Sequence, residues 1–146
     1  MMTKAIDRRE FVVLSASALA GALVGCSSLV SIPVSPVGGK VRLAVRNFPA
    51  LSQPGGVLKI LPDGEETPLY VLTRADGGYT VLSPICTHLS CTVNVEGATL
   101  LCPCHGSTYD REGRVLRGPA ERPLTSYPTQ LSDGVLQIDL ERGRGA

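Results

Sequence analysis

Cys86-Thr87-His88-Leu89-Ser90-Cys91 is followed, ten residues later, by Cys102-Pro103-Cys104-His105-Gly106-Ser107-Thr108-Tyr109-Asp110. These 25 residues hold four of the chain's five cysteines and both of its histidines. Thirteen residues separate His88 from Cys102. Most of them read as a hairpin: Thr92-Val93-Asn94-Val95, a turn at Glu96-Gly97, then Ala98-Thr99-Leu100-Leu101. A hairpin sets its two ends side by side, so both Cys-His loops meet at one place. Two thiolates and two imidazoles suit either tetrahedral zinc or a 2Fe–2S cluster with two cysteines on one iron and two histidines on the other. Zinc needs only four ligands and leaves the second cysteine of each loop without a reason.

The pattern Cys-Thr-His-Leu-x-Cys, then Cys-Pro-Cys-His-Gly-Ser-x-Tyr, closely resembles the Rieske 2Fe–2S family, in particular its high-potential cytochrome bc-type branch. The resemblance covers nearly every position of the two loops. It implies one Rieske-type 2Fe–2S cluster, with Cys86 and Cys102 on one iron and His88 and His105 on the other. It also implies a disulfide between Cys91 and Cys104 that ties the loops together. Replacing two thiolates by neutral imidazoles lowers the negative charge at the cluster and favours the reduced state, which places Rieske centres at roughly −150 to +300 mV. Hydrogen bonds to the sulfurs raise the potential further. Ser107 and Tyr109 stand where high-potential members of the family donate such bonds. Gly118-Pro119-Ala120-Glu121-Arg122-Pro123 resembles the family's proline-rich loop, which would put Pro119 in a cover over the cluster. Leu89, directly after His88, and Gly106, directly after His105, would then belong to the docking side.

Length and charge set the frame for the rest. The 146 residues allow one compact domain. The formal charge is +1, from 14 basic and 13 acidic residues, and there is no Trp. Nothing here suggests a nucleic-acid surface or a stacking platform.

The N-terminus reads as a targeting segment. Lys4, Arg8 and Arg9 precede an uncharged, mostly apolar run over residues 11–25. Asp7-Arg8-Arg9-Glu10-Phe11 resembles the bacterial twin-arginine export signal, with Asp7, Val12 and Val13 departing from the usual pattern. Leu23-Val24-Gly25-Cys26 resembles a lipobox, which would make Cys26 a lipidation site and account for the fifth cysteine. The alternative is an uncleaved signal anchor, since no charge occurs over residues 11–39, long enough for a helix across ~30 Å of hydrocarbon. Residues 1–25 are therefore expected to be a signal or anchor, and residues 26–39 a tether that includes Val34-Ser35-Pro36-Val37-Gly38-Gly39. Residues 40–143 are expected to be the folded domain. The product would be an exported protein held at the membrane and facing the periplasm.

Beyond the tether the signals are short strands and turns. Lys40-Val41-Arg42-Leu43-Ala44-Val45, Val57-Leu58-Lys59-Ile60-Leu61, Leu69-Tyr70-Val71-Leu72-Thr73 and Tyr79-Thr80-Val81-Leu82 precede the ligand loops. Arg114-Val115-Leu116, Leu124-Thr125-Ser126-Tyr127 and Val135-Leu136-Gln137-Ile138-Asp139-Leu140 follow them. Pro62-Asp63-Gly64, Asp76-Gly77-Gly78 and Asp133-Gly134 supply turns. Strands at this spacing predict an all-β fold: a Rieske-like antiparallel sandwich with a small cluster-binding subdomain.

The expected function is one-electron transfer as a membrane-attached subunit of a quinol–cytochrome c oxidoreductase, an electron-transfer subunit rather than a complete enzyme. Cytochrome b and cytochrome c type subunits and quinol would be its partners. The alternative is the small subunit of a molybdenum-type oxidase such as arsenite oxidase, with the molybdenum-bearing large subunit as partner. A Rieske oxygenase is excluded, because its non-haem iron needs two further histidines and the chain has no third.

Overall fold

Every residue of Leu69–Thr73 is buried. Successive side chains of a strand point to opposite faces, so this strand must be covered on both sides. A computed structural model, which describes residues 30–143, shows how. Leu69 and Val71 face one apolar core, while Tyr70 and Leu72 face another. The neighbouring strand repeats the division, with Val81 in the first core and Leu82 in the second. The expected signal, anchor and lipidation site at Cys26 lie outside the described residues.

Twelve strands form three sheets among the described residues. The central sheet has the order β1 (Ser31–Val34), β3 (Val57–Pro62), β4 (Leu69–Thr73), β5 (Tyr79–Leu82), β10 (Ser126–Tyr127). A second sheet joins β11 (Thr129–Ser132), β12 (Val135–Asp139) and β2 (Lys40–Ala44). It closes the first core with Val41, Leu43, Leu136 and Ile138. Both β2 and β12 alternate buried and open positions, as a strand with one wet face should. The third sheet, β6 (Asn94–Glu96), β7 (Thr99–Leu101), β8 (Thr108–Tyr109) and β9 (Val115–Arg117), is the small cluster-binding subdomain. It covers the other face of the central sheet with Val93, Leu100 and Tyr109. Cys86 and Cys102 are buried in that second core, so the site grows out of it.

The all-β expectation holds, with two corrections. The sandwich is not wholly antiparallel: β1 runs parallel to β3, pairing Ser31 with Lys59 through Val34 with Pro62. Residues 31–39 are therefore not a tether, and the folded domain starts before Lys40. The segment is fixed further by Asp63 N–H donating to the Val34 carbonyl at 2.9 Å and by Ser35 Oγ donating to Asp63 at 2.5 Å. Val37 and Lys40 then exchange backbone hydrogen bonds of 2.9 and 3.2 Å across Gly38-Gly39. Both glycines have positive φ, 57° and 71°, which is what a tight two-residue hairpin turn demands. The glycine pair closes a turn and does not belong to a tether.

Candidate metal centre

The two ligand loops are built alike. In the first, Cys86 N–H donates to the Cys91 carbonyl at 2.8 Å, and Ser90 N–H donates back to the Cys86 carbonyl at 2.9 Å. In the second, Cys102 N–H donates to the Ser107 carbonyl at 2.8 Å, and Gly106 N–H to the Cys102 carbonyl at 3.0 Å. Each turn places its fifth residue at positive φ, 59° at Ser90 and 77° at Gly106. The β6–β7 hairpin brings these loops together as expected, with its turn at Gly97-Ala98, one residue later than the spacing suggested.

A disulfide joins the loops, Cys91 to Cys104. Among the described residues, Cys86 and Cys102 are the free cysteines, and both are buried. Both lie in the second core, and each perturbs the other's ionisation. His88 and His105 are exposed. Their rings meet edge to face with centroids 4.9 Å apart. The structure thus gathers all four expected ligands, sulfurs inward and imidazoles outward. The sulfurs of Cys91, Cys102 and Cys104 also lie within 4.8 Å of one another. That trio is no metal site, because two of its sulfurs are bonded to each other.

Burial pushes the Cys86 thiol up. The Tyr109 hydroxyl, then the backbone N–H of His88, the Cys102 thiol and the backbone N–H of Leu89, together more than offset this and hold it below its ordinary value. Burial keeps the Cys102 thiol high, as does the neighbouring Cys86 thiol. Amide and hydroxyl donors aimed at a buried sulfur stabilise negative charge there.

Of the residues expected to tune the centre, Tyr109 is fully buried and its hydroxyl lies 3.3 Å from Cys86 Sγ. Burial, then the bond to Cys86, pushes its phenol up, so it stays protonated and able to donate. Ser107 is also fully buried. Its Oγ accepts the Ala120 N–H at 3.0 Å, which leaves its own proton free. Pro119 is exposed while Ala120 beside it is buried. Leu89 is 62% exposed next to His88, and Gly106 has open space where a side chain would sit.

Three residues escaped the sequence reading. Thr87 Oγ1 donates to the Arg122 carbonyl at 2.6 Å and lies 3.2 Å from the Tyr109 hydroxyl. It links the proline-rich segment to the tyrosine, and its place between two ligands was the available signal. Tyr70 donates from β4 to the Val93 carbonyl at 2.8 Å. Arg111 reaches three backbone carbonyls. Neither carries a local signal, because the partners are far away in sequence.

A model of the Rieske [2Fe-2S] domain matches residues 51–128, over half of the chain. The chain belongs to the Rieske family. The cytochrome b6-f complex iron-sulfur subunit of Chlorobaculum tepidum is 31% identical over 126 residues, covering 82% of this chain and 68% of that protein. The cytochrome b6-f complex iron-sulfur subunit 2 of a Nostoc species is 38% identical over 92 residues, 60% of this chain and 52% of its own length. The Rieske chain thus spans about half to two thirds of these relatives. Among solved structures, the plasma membrane Rieske protein PetC3 of Synechocystis PCC 6803 superposes with a TM-score of 0.50 at 35% identity, over 57% of this chain and 85% of that one. A chain from the oxygenase–ferredoxin complex of carbazole 1,9a-dioxygenase, 22% identical with a TM-score of 0.51 over 67% of this chain and 92% of its own, shares the fold.

Two free thiols buried in one core and two paired imidazoles fit the cofactor of this family, one Rieske-type 2Fe–2S cluster, through which the protein transfers electrons. The position of the Tyr109 hydroxyl gives a direct test. Tyr109→Phe is expected to keep the cluster and lower its midpoint potential, and Ser107→Ala to do the same. A hydrogen bond to a charged acceptor is worth roughly 1.5–3 kcal/mol, and a one-electron couple shifts about 59 mV per tenfold change in equilibrium constant. Complete loss of that bond's differential effect therefore sets a ceiling on the order of 60–130 mV. The bond exists in both redox states, so the measured drop should be smaller. Redox titration followed by electron paramagnetic resonance reads it, and an unchanged potential in both variants removes these residues from the tuning role.

Proposed function

We propose that this Rieske protein is the iron–sulfur subunit of a membrane-bound bc-type complex, taking an electron from quinol and passing it to a cytochrome c type subunit beside a cytochrome b. The observation that carries this reading is the pair of exposed imidazoles beside the exposed Leu89, above two buried sulfurs. The kinship with b6-f complex subunits supports it.

In this reading Cys86 and Cys102 hold one iron, and His88 and His105 the other. When bound, the cluster supplies a one-electron couple. The chain's own residues do the rest. Leu89 and Gly106 leave an open apolar rim around the imidazoles for a partner to dock. The outer ring nitrogens of His88 and His105 hold or release a proton at that face. Ser107 and Tyr109 donate toward the cluster to raise its potential. Thr87 and Ser107 pin the segment carrying Pro119 at Arg122 and Ala120, so that it shields the buried side from water. Attachment to the outer face of the cytoplasmic membrane follows from Cys26, by lipidation or within an uncleaved anchor. Among the described residues no helix is long and apolar enough to cross a membrane.

Purification of the full chain from detergent-solubilised native membranes tests the proposal. The expected preparation holds about two irons and two labile sulfides per chain, brings down a b-type cytochrome, and titrates in the upper part of the Rieske range of about −150 to +300 mV. A molybdenum-bearing large subunit in place of the cytochrome would move the protein to the oxidase reading. Zinc without iron would end both.

A further inference from the structure

Arg111 sits in the turn between β8 and β9, at the end of the cluster-binding sheet away from the ligands. Its Nη1 donates to the Gly97 carbonyl at 2.7 Å, in the β6–β7 turn of the same sheet. Its Nη2 donates to the carbonyls of Gly55 and Gly56 at 2.9 and 3.0 Å. Those two glycines belong to the segment leading into β3, in the central sheet. The Gly56 carbonyl also accepts the Thr73 N–H from the end of β4. One guanidinium therefore joins both turns of the small sheet to the larger one. No carboxylate takes part in these three bonds, and Nε is buried without a partner.

The position matters because β8 is only two residues long, Thr108–Tyr109. Tyr109 stands two residues before Arg111, with its hydroxyl against Cys86 Sγ. Asp110, between them, is held by its own turn, accepting the N–H groups of Glu112 and Arg114 at 3.0 and 2.8 Å. Any shift of the turn against the central sheet has almost no chain in which to dissipate before it reaches the tyrosine ring. At the ligand end, Tyr70 bonded to Val93 ties the two sheets. At the far end, Arg111 does.

We propose that Arg111 is a positioning residue for electron transfer: it locks the far end of the cluster-binding sheet to the central sheet and thereby holds the Tyr109 hydroxyl on the Cys86 sulfur. The role requires a planar fork that donates in two directions. A lysine keeps the charge but offers one nitrogen, so it cannot span Gly97 and the Gly55-Gly56 pair together. The inference rests on the reading of Tyr109 as a tuning donor and needs neither quinol nor a partner complex, so failure of the complex assignment leaves it standing.

Arg111→Lys, made in the full chain and purified with its cluster, separates positioning from charge. At a fixed ambient potential its ratio of reduced to oxidised cluster is expected to fall two- to fivefold, in the same direction as in Tyr109→Phe. In the double variant Arg111→Lys/Tyr109→Phe no further fall is expected, because residues acting through one bond are not additive. Hydrogen exchange gives a second reading. The Thr87 N–H, which donates to the Tyr109 hydroxyl, should exchange at least tenfold faster in Arg111→Lys. An unchanged ratio, or a fall that persists undiminished in the Tyr109→Phe background, overturns the proposal. If Arg111→Lys does not retain iron, Arg111→Gln, which keeps an amide donor toward Gly97, is measured in the same way. Loss of iron in both makes Arg111 a folding residue only, and also overturns it.

Discussion

Replacing Cys91 and Cys104 together by serine is expected to strip the protein of its cluster at temperatures where the unaltered chain keeps it. The bond closes a loop across a sequence separation of 13. Removing a cross-link of that span returns roughly 3 kcal/mol of conformational freedom to the unfolded chain. A domain is held by only about 5–15 kcal/mol, so the loss is a large fraction, and for a domain of this size amounts to about 10–20 °C in Tm. The local effect is sharper still. His88 and His105 are exposed, and the backbone bonds that shape each loop stay within that loop. The disulfide is the covalent tie between the two. Without it the imidazoles are free to part while the buried sulfurs stay together. Iron retention and visible circular dichroism on heating measure the effect. Equal retention by the double variant and the parent would show that packing in the second core alone holds the site.

Gly56→Ala is expected to destabilise the domain by about 3–5 kcal/mol, in the range reserved for severe backbone conflict. A Cβ on Gly56 would lie 1.6 Å from the Ala50 carbonyl oxygen and 2.8 Å from its carbon. Both are backbone atoms of the turn at Pro49–Ser52, so no side-chain rotation relieves the contact. The damage would spread, because the Gly56 carbonyl serves both Thr73 and Arg111. Gly55 is the control. It has φ of 79° with open space around it, so alanine there meets only the left-handed penalty of roughly 1–2 kcal/mol. Urea denaturation of the two variants compares them. A loss at Gly56 no larger than at Gly55 would mean that the Pro49–Ser52 turn shifts easily out of the way.

How much of this was legible depended on how local the cause was. The ligand loops could be read because cluster chemistry dictates residue types at short spacing. Strands β4 and β5 could be read to the residue, since each is a run of apolar or β-favouring side chains ended by turn residues. Strand β1 could not. It carries Pro33 at the edge of a sheet, where proline is tolerated, and its parallel pairing with β3 leaves no hairpin in the sequence to announce it. The Gly38-Gly39 pair was ambiguous for a physical reason: the same freedom that loosens a linker closes a hairpin, and only the partners of Val37 and Lys40 decide. Strand β11 is largely exposed along one edge, so it lacks the alternation that marks a half-buried strand. Arg111 finds its partners 14, 55 and 56 residues away, and no window of sequence contains them.

The parallel pairing of Ser31–Val34 with β3 also sets a mooring length. If Cys26 carries the membrane attachment, as proposed above, residues 27–30 separate it from the first residue of β1. The five Cα–Cα steps from Cys26 to Ser31, fully extended, reach at most about 18 Å, comparable with the radius of a domain whose radius of gyration is about 13 Å. A body held by a line as short as its own radius can roll and tilt where it floats, but it cannot cross to a distant berth. On such a mooring, the exposed imidazole face would change partners by tilting of the body and not by travel of the line.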